Sequence, residues 1–172
     1  MDNQQEREFA YIAGIVDGEG CITMAFRQYR LGKFRIEPKV EIANTSSTLL
    51  DWLSAKLTEH SIGHHITWHA PQTPQSRPWA ALVIQRYNSI VNFLERILPY
   101  LVIKRLQGET VRGFLKTRLL PDGRSKKNGI TDPYTLEDFQ ALAKVRALNR
   151  SKRDLDPQRL YAEYCARRTA KI

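Results

Sequence analysis

Ile12-Ala13-Gly14-Ile15-Val16-Asp17-Gly18-Glu19-Gly20 is the stretch on which the reading of this chain turns. From Glu8 onward, Phe9, Ile12, Ala13, Ile15 and Val16 recur at helical spacing, and Gly18 and Gly20 break the pattern, which predicts a helix of about three turns. Gly14 and Gly18 are four apart and share one helical face, with Ala13 beside them, so side-chain bulk is missing where another backbone could come close. Each interior glycine costs a helix about 1 kcal/mol against alanine. Close packing against a second helix is the natural compensation. Asp17 and Glu19 stand at the helix C-terminus, where the macrodipole and unpaired carbonyls are already negative. Acids are disfavoured there unless a cation joins them, and a hard divalent ion held by carboxylate and carbonyl oxygens would remove the conflict. The plain alternative is a pair of solvated turn acids.

Downstream of this stretch the period changes from 3.6 to two. Ile22, Met24 and Phe26 alternate with Cys21, Thr23, Ala25 and Arg27, and after a turn at Gly32, Phe34, Ile36, Val40 and Ile42 alternate with Arg35, Glu37, Lys39 and Glu41, which predicts an antiparallel hairpin with one apolar face. A second helix fits Ser47 to Glu59. A second hairpin fits His65–Trp68 and Trp79–Gln85, with Trp68 and Trp79 able to pair across it, joined by a proline-containing loop from Pro71 to Pro78. Helix returns over Ser89–Leu98 and again from Ile103 to about Leu119. PDGRSKKNG, Pro121 to Gly129, reads as a basic loop. One more helix opens near Thr135 with Asp138 in capping-box spacing, and another opens at Asp156-Pro157. The pattern predicts an α+β fold: helix, hairpin, helix, hairpin, helix, with helices on one face of a four-stranded antiparallel sheet and extra C-terminal helices. The other face would carry Arg27, Tyr29, Arg35, Glu37, Lys39, Glu41 and Arg77, with Gln85 and with His65 or Thr67 and His69 on the second hairpin.

With 172 residues the chain reads as a single domain spanning 1–172, with a core over about 8–120 and a C-terminal helical extension over about 130–170. Hydrophobic content of 42% suits a folded protein, and no apolar run is long enough for a bilayer, so a soluble, intracellular protein is expected with no membrane partner and no small-molecule substrate. Cys21 and Cys165 lack CxxC spacing and signal neither disulfide nor zinc. Charge is unevenly spread: ten basic against ten acidic residues in the first 100, seventeen against eight in the last 72, so all of the net +9 lies in the C-terminal part. Such an excess attracts polyanions, nucleic acid foremost. His65 and His69 are four apart, but in a strand that spacing separates them by about 13 Å, too far to share one ion.

Residues 12–22, IAGIVDGEGCI, resemble the LAGLIDADG motif, and the element order behind them is similar to the core of the LAGLIDADG homing endonucleases. The resemblance covers nearly the whole chain and follows the single-motif, homodimeric, intron-encoded subgroup of organelles. It implies that motif helices of two subunits pack through their small residues, which puts Ile12, Ala13, Gly14 and Asp17 at the interface. It implies that Glu19, in place of the more usual Asp, binds metal at the scissile phosphates, with the Gly18 carbonyl as a further ligand. Ile42-Ala43-Asn44-Thr45 resembles the segment whose polar residue orients active-site water, here Asn44, and Pro99–Lys104 resembles the stretch ending in the active-site lysine, here Lys104. Ala147–Arg153 resembles a segment that grips the DNA backbone, implicating Arg150, Lys152 and Arg153. A basic active-site residue of some members falls on Thr48 or Ser47 and is absent here.

The resemblance thus implies a magnesium-dependent hydrolase, with Mn²⁺ able to substitute, that cuts double-stranded DNA at a long pseudo-palindromic site and leaves short 3′ overhangs. One motif per chain implies a homodimer. Arg27, Arg35, Lys39, Arg77 and Gln85 are candidate base readers, because Arg and Lys suit guanine edges and Gln suits adenine. Glu37 and Glu41 suit cytosine amino groups or the ordering of neighbouring cations, and Tyr29, Arg30, Lys33, Thr67 and His69 complete the DNA-binding candidates. Two other classes remain open at this level: an RNA maturase assisting intron splicing, and a non-catalytic DNA-binding regulator. The organelle or prokaryotic compartment is likewise open.

Overall fold

The computed structural model describes residues 3–29, 33–71, 73, 77–124, 133–150 and 155–169. Six helices and four strands follow in order: α1 Asn3–Glu19, β1 Gly20–Tyr29, β2 Lys33–Asn44, α2 Ser47–Glu59, β3 His65–His69, β4 Trp79–Ile84, α3 Tyr87–Ile97, α4 Arg105–Arg118, α5 Leu136–Leu148 and α6 Pro157–Thr169. The fold is α+β, with one antiparallel sheet ordered β1-β2-β4-β3. No helix among the described residues is long and apolar enough to cross a membrane.

Helix α1 runs 17 residues, extending the predicted helix toward the N-terminus. Phe9, Ile12, Ala13 and Val16 form its buried stripe at the i, i+3, i+4, i+7 spacing that a one-sided helix requires. The chain passes directly from α1 into β1 at Gly20. A Cβ there would stand 2.7 Å from the Val16 carbonyl oxygen, so the junction needs a residue without a side chain. Both sheet hairpins follow the two-residue alternation. Ile22, Met24, Ile36, Val40, Ile42, Ala80, Leu82 and Ile84 are buried under the helices α1–α5, which fixes the strand register because a one-residue slip would expose them all. The second hairpin's register puts Trp79 opposite His69 and Trp68 opposite Ala80. Trp68 and Trp79 therefore lie on opposite faces and do not pair; Trp79 stacks on His69 instead, with ring centroids 3.9 Å apart.

Strand β4 pairs with β2 only over Val40–Asn44, which leaves the first half of β2 with an open edge. Buried tyrosines close it. Ile36 N–H donates to Tyr134 Oη at 3.1 Å, and Tyr87 Oη donates to the Ile36 carbonyl at 2.9 Å. These hydroxyls stand in for a missing strand and satisfy groups that would be costly to bury unpaired. Burial pushes the Tyr134 hydroxyl well above the usual tyrosine range. The outer edge of β1 is held by Asn149, the C-cap of α5, whose Nδ2 donates to the Ile22 carbonyl at 2.9 Å. Thr135 and Asp138 form the expected capping box on α5, and Asp138 also receives Arg118 of α4, both side chains being almost wholly buried. Asp156 Oδ1 accepts from Gln158 and Arg159 N–H, starting α6 as the Asp-Pro pair predicts.

Candidate active site and sheet face

The C-terminus of α1 is where the chemistry-bearing residues gather. Asp17 Oδ2 accepts from Val102 N–H at 2.7 Å and Ile103 N–H at 3.2 Å, and Oδ1 accepts from Lys104 N–H at 2.9 Å. The Lys104 ammonium in turn donates to the Asp17 main-chain carbonyl. Burial by itself would raise the Asp17 carboxyl, but the backbone donors of Val102, Lys104 and Ile103, followed by the Lys104 charge, outweigh it and hold the carboxyl below its ordinary value. The sequence places Asp17 at a subunit interface and gives it the same need for a cation as Glu19. The structure answers the second point: three N–H groups take the place of a cation at the Asp17 carboxylate, and the Lys104 charge lies beside it.

Glu19 is different. It is the last residue of α1, it is exposed, and no hydrogen bond or ion pair among the described residues engages its carboxylate. Gly18 beside it is also exposed, with nothing within 4 Å of where a Cβ would be. A carboxylate and a main-chain carbonyl at adjacent positions are the hard oxygen donors that Mg²⁺ takes, and their exposure leaves room for water and phosphate oxygens. Asn44 arrives at the same end of the sheet. Gly20 pairs with Ile42, so Asn44 lies two residues past that pair, alongside the end of α1. Its Oδ1 accepts from Ser46 N–H at 2.9 Å, and Ser46 caps α2. The structure thus brings Gly18, Glu19 and Lys104 to one helix end, with Asn44 on the neighbouring strand end.

The small-residue face of α1 also needs correcting. Ile12 and Ala13 are 1% and 0% exposed and point into the core of their own subunit, so they offer no surface to a second copy. The open face is Ala10, Gly14 and Gly18, all exposed at i, i+4 and i+8. Ala10 could have been found by extending the glycine spacing one turn back. Val102 and Ile103, whose N–H groups meet Asp17, and Leu106 shortly after them are large apolar residues left exposed at 83%, 71% and 52%. Sequence reasoning misses them, because their apolarity suggests core.

The sheet face away from the helices carries Arg27, Arg35, Glu37, Lys39 and Glu41 in cross-strand register. Arg27 pairs with Glu37 at 3.5 Å and Lys39 with Glu41 at 2.5 Å, so both acids order neighbouring cations. The register aligns Thr67 and His69 of β3 with this face through Ala81 and Trp79. Thr23, Arg35, Lys39 and Gln85 line a concave groove of ≈ 820 Å³, and the turn at Asp122–Arg124 forms part of its wall. Cys21, exposed as a residue and opposite Glu41, joins the face; partial burial of its thiol and the Glu41 charge push it above the usual cysteine range. Arg77 is exposed just before β4, and Arg150 is exposed just after Asn149 with φ 51. Tyr29 and Lys33 form the last backbone pair of the first hairpin. Arg30, Lys152 and Arg153 lie outside the described residues.

One other group among the described residues could suggest a metal. Glu8, Glu59 and His60 bring ligand atoms within 4.8 Å of one another. Lys56 already sits on both carboxylates, at 2.9 Å and 3.2 Å, and its hydrogen bond is the leading cause of the lowered Glu8 carboxyl. An ammonium supplies the cation there.

No protein-family model matches the chain, and no curated protein does. Solved structures match it well. The homing endonuclease I-CvuI, in complex with its target in the presence of 2 mM Ca, is 21% identical, with a TM-score of 0.69 over 92% of this chain and 93% of that one. The archaeal intron-encoded homing endonuclease I-Vdi141I, complexed with DNA, is 15% identical, with a TM-score of 0.69 over 96% of this chain and 99% of that one. The LAGLIDADG meganuclease I-AabMI, bound to uncleaved DNA, is 18% identical with a TM-score of 0.53, and 89% of this chain covers 48% of that one. The fold of this chain is the LAGLIDADG homing endonuclease fold.

Proposed function

We propose that this chain is a site-specific double-strand DNA endonuclease of the homing type, acting as a homodimer on a long pseudo-palindromic target. One observation carries the reading. Glu19 stands exposed at the end of a helix whose outer face is small, two residues from the Asp17–Lys104 contact, immediately before the strand whose Thr23, Ala25 and Arg27 line a concave sheet face rich in Arg and Lys. A carboxylate left without a partner at the negative end of a helix is unfavourable in a folded subunit alone. It makes sense when a second subunit, a cation and a phosphate meet it.

Ala10, Gly14 and Gly18 allow two α1 helices to approach closely, and Val102, Ile103 and Leu106 supply exposed apolar area. That 89% of this chain covers about half of I-AabMI supports the idea that the working unit contains this fold twice. Two copies bring two Glu19 carboxylates together. Glu19 and the Gly18 carbonyl would hold Mg²⁺, with Mn²⁺ able to substitute; such an ion would lower the pKa of the attacking water and stabilise charge on the leaving oxygen. Lys104 sets a positive charge beside the phosphoryl group as negative charge builds on it. Asn44 positions solvent, its Oδ1 being occupied by Ser46 N–H, so that the amide donors are what it brings. Arg35, Lys39, Gln85 and their neighbours in the groove contact base edges and phosphates of each half-site, with Arg150 and the basic segment after it on the backbone.

The test is cleavage of a duplex recovered by wild-type cutting from a randomised library with Mg²⁺ present. Glu19→Gln should bind that duplex as the wild type does and leave it intact. A purified Glu19→Gln protein that still cuts overturns the assignment. Wild-type protein that retains particular duplexes from the library by binding and yields no cut product is a regulator, and one that prefers folded intron RNA to duplex is a maturase.

A further inference from the structure

We infer that Asp17 is a positioning residue that holds Lys104 for catalysis from both its side chain and its main chain. Helix α4 begins with a conflict. Lys104 is the N-cap of that helix, Arg105 follows it, the cap makes no side-chain hydrogen bond, and the first turn has no acid. Cations are unfavourable at the positive end of a helix, and lysine is a poor cap for its unpaired N–H groups. A helix start that breaks both local rules needs an outside compensation, and such violations concentrate where function demands the residue.

Asp17 supplies the compensation from another helix. Its carboxylate takes the N–H groups of Val102, Ile103 and Lys104, doing for α4 what a capping side chain would do, and brings a negative charge to the positive helix end. Its main-chain carbonyl, at the negative end of α1, takes the Lys104 ammonium. One residue therefore fixes both ends of the lysine: the backbone by the carboxylate, the charged tip by the carbonyl. Glu19 is only two residues further along the same chain. The separation between the metal-holding carboxylate and the lysine charge is in this way set by Asp17, and the geometry needs no contact between Lys104 and any group of the DNA-reading face. Asparagine at position 17 would keep one acceptor oxygen, lose the other and lose the charge, so the Val102–Lys104 turn would loosen while the groove stayed as it is.

The inference rests on the nuclease reading, with Lys104 in the reacting site, and a double-mutant cycle separates the two. Asp17→Asn, Lys104→Met and the double variant are compared with wild type in single-turnover cleavage of the library-selected duplex, alongside affinity for it in Ca²⁺. Asp17→Asn is expected to slow cleavage about 10-fold to about 100-fold with affinity within about threefold, and to change the rate little once Lys104 is already methionine, as coupled neighbours do. The cycle is repeated with Asp17→Glu, which keeps the charge should the asparagine variant fail to fold. Coupling in either cycle supports the inference. Additive effects in both cycles overturn it and leave the nuclease reading standing, whereas wild-type cleavage by Lys104→Met overturns the role of the lysine itself.

Discussion

Gly14→Leu tests whether α1 pairs with α1 of a second copy while leaving the folded chain itself undisturbed. Within one subunit nothing lies within 4 Å of the place a Cβ on Gly14 would take, so leucine meets open space there and gains about 1 kcal/mol of helix propensity over glycine. If α1 pairs with α1 of a second copy, the same side chain is forced into a contact built for a bare backbone. Overpacking of that kind costs about 1–3 kcal/mol per site. Two copies would meet at the dyad, so such a dimer would lose about 2–6 kcal/mol, which is about 30-fold to about 2 × 10⁴-fold in its dissociation constant. Sedimentation velocity across a concentration series reads the assembly, and urea unfolding at low protein concentration reads the subunit. The expected pair of results is a shift toward monomer together with an unchanged or raised unfolding midpoint, and loss of cleavage. Gly20→Ala is the internal contrast: its Cβ would strike the Val16 backbone inside the subunit, so it should lower the midpoint whatever the assembly does. A Gly14→Leu protein with the wild-type association constant would refute the helix-pairing argument, and one that unfolds more easily as a monomer would refute the open-face description of α1.

Removal of divalent ions with EDTA should abolish cutting and leave the circular dichroism spectrum unchanged, since Lys56 already supplies the cation between Glu8 and Glu59; readdition of Mg²⁺ should restore cutting. Arg35→Ala combined with Lys39→Ala should weaken duplex binding and lower the slope of log K against log salt by about 2 if both reach phosphates, or relax base preference at fixed positions if they reach bases, as filter binding across salt and selected sites will distinguish. Asp138→Asn takes the carboxylate charge out of the buried Arg118–Asp138 pair and should cost about 3 kcal/mol in urea unfolding. Asn149→Ala removes the donor on the Ile22 carbonyl and should cost about 1 kcal/mol, with faster amide exchange along the outer edge of β1.

Much of this molecule is legible in one dimension because the signals are local. The stripe Phe9, Ile12, Ala13 and Val16, the alternation from Ile22 to Ile42, and the caps at Thr135 and Asp156 each depend on neighbours a few residues away, and each element forms where its spacing points. Where two local readings compete, sequence alone chooses less well. Ile12 and Ala13 belong equally to an apolar stripe and to a small-residue face, and burial assigns them to the core. Trp68 and Trp79 suggest a pair until register puts them on opposite faces. Val102 and Ile103 have the composition of core and are exposed.

The motif by itself determined that a helix with a small outer face ends on two acids, and the alternation behind it determined a sheet with a charged side. Only the tertiary structure decided what each acid does. Asp17 finds its partners 85 to 87 residues away, at the start of another helix, and no periodicity in the sequence encodes that meeting. Two carboxylates at the same helix end therefore part ways, one satisfied by backbone N–H groups and a lysine, the other left facing outward, because hydrogen-bond satisfaction is settled by what the fold brings near and not by what lies next along the chain.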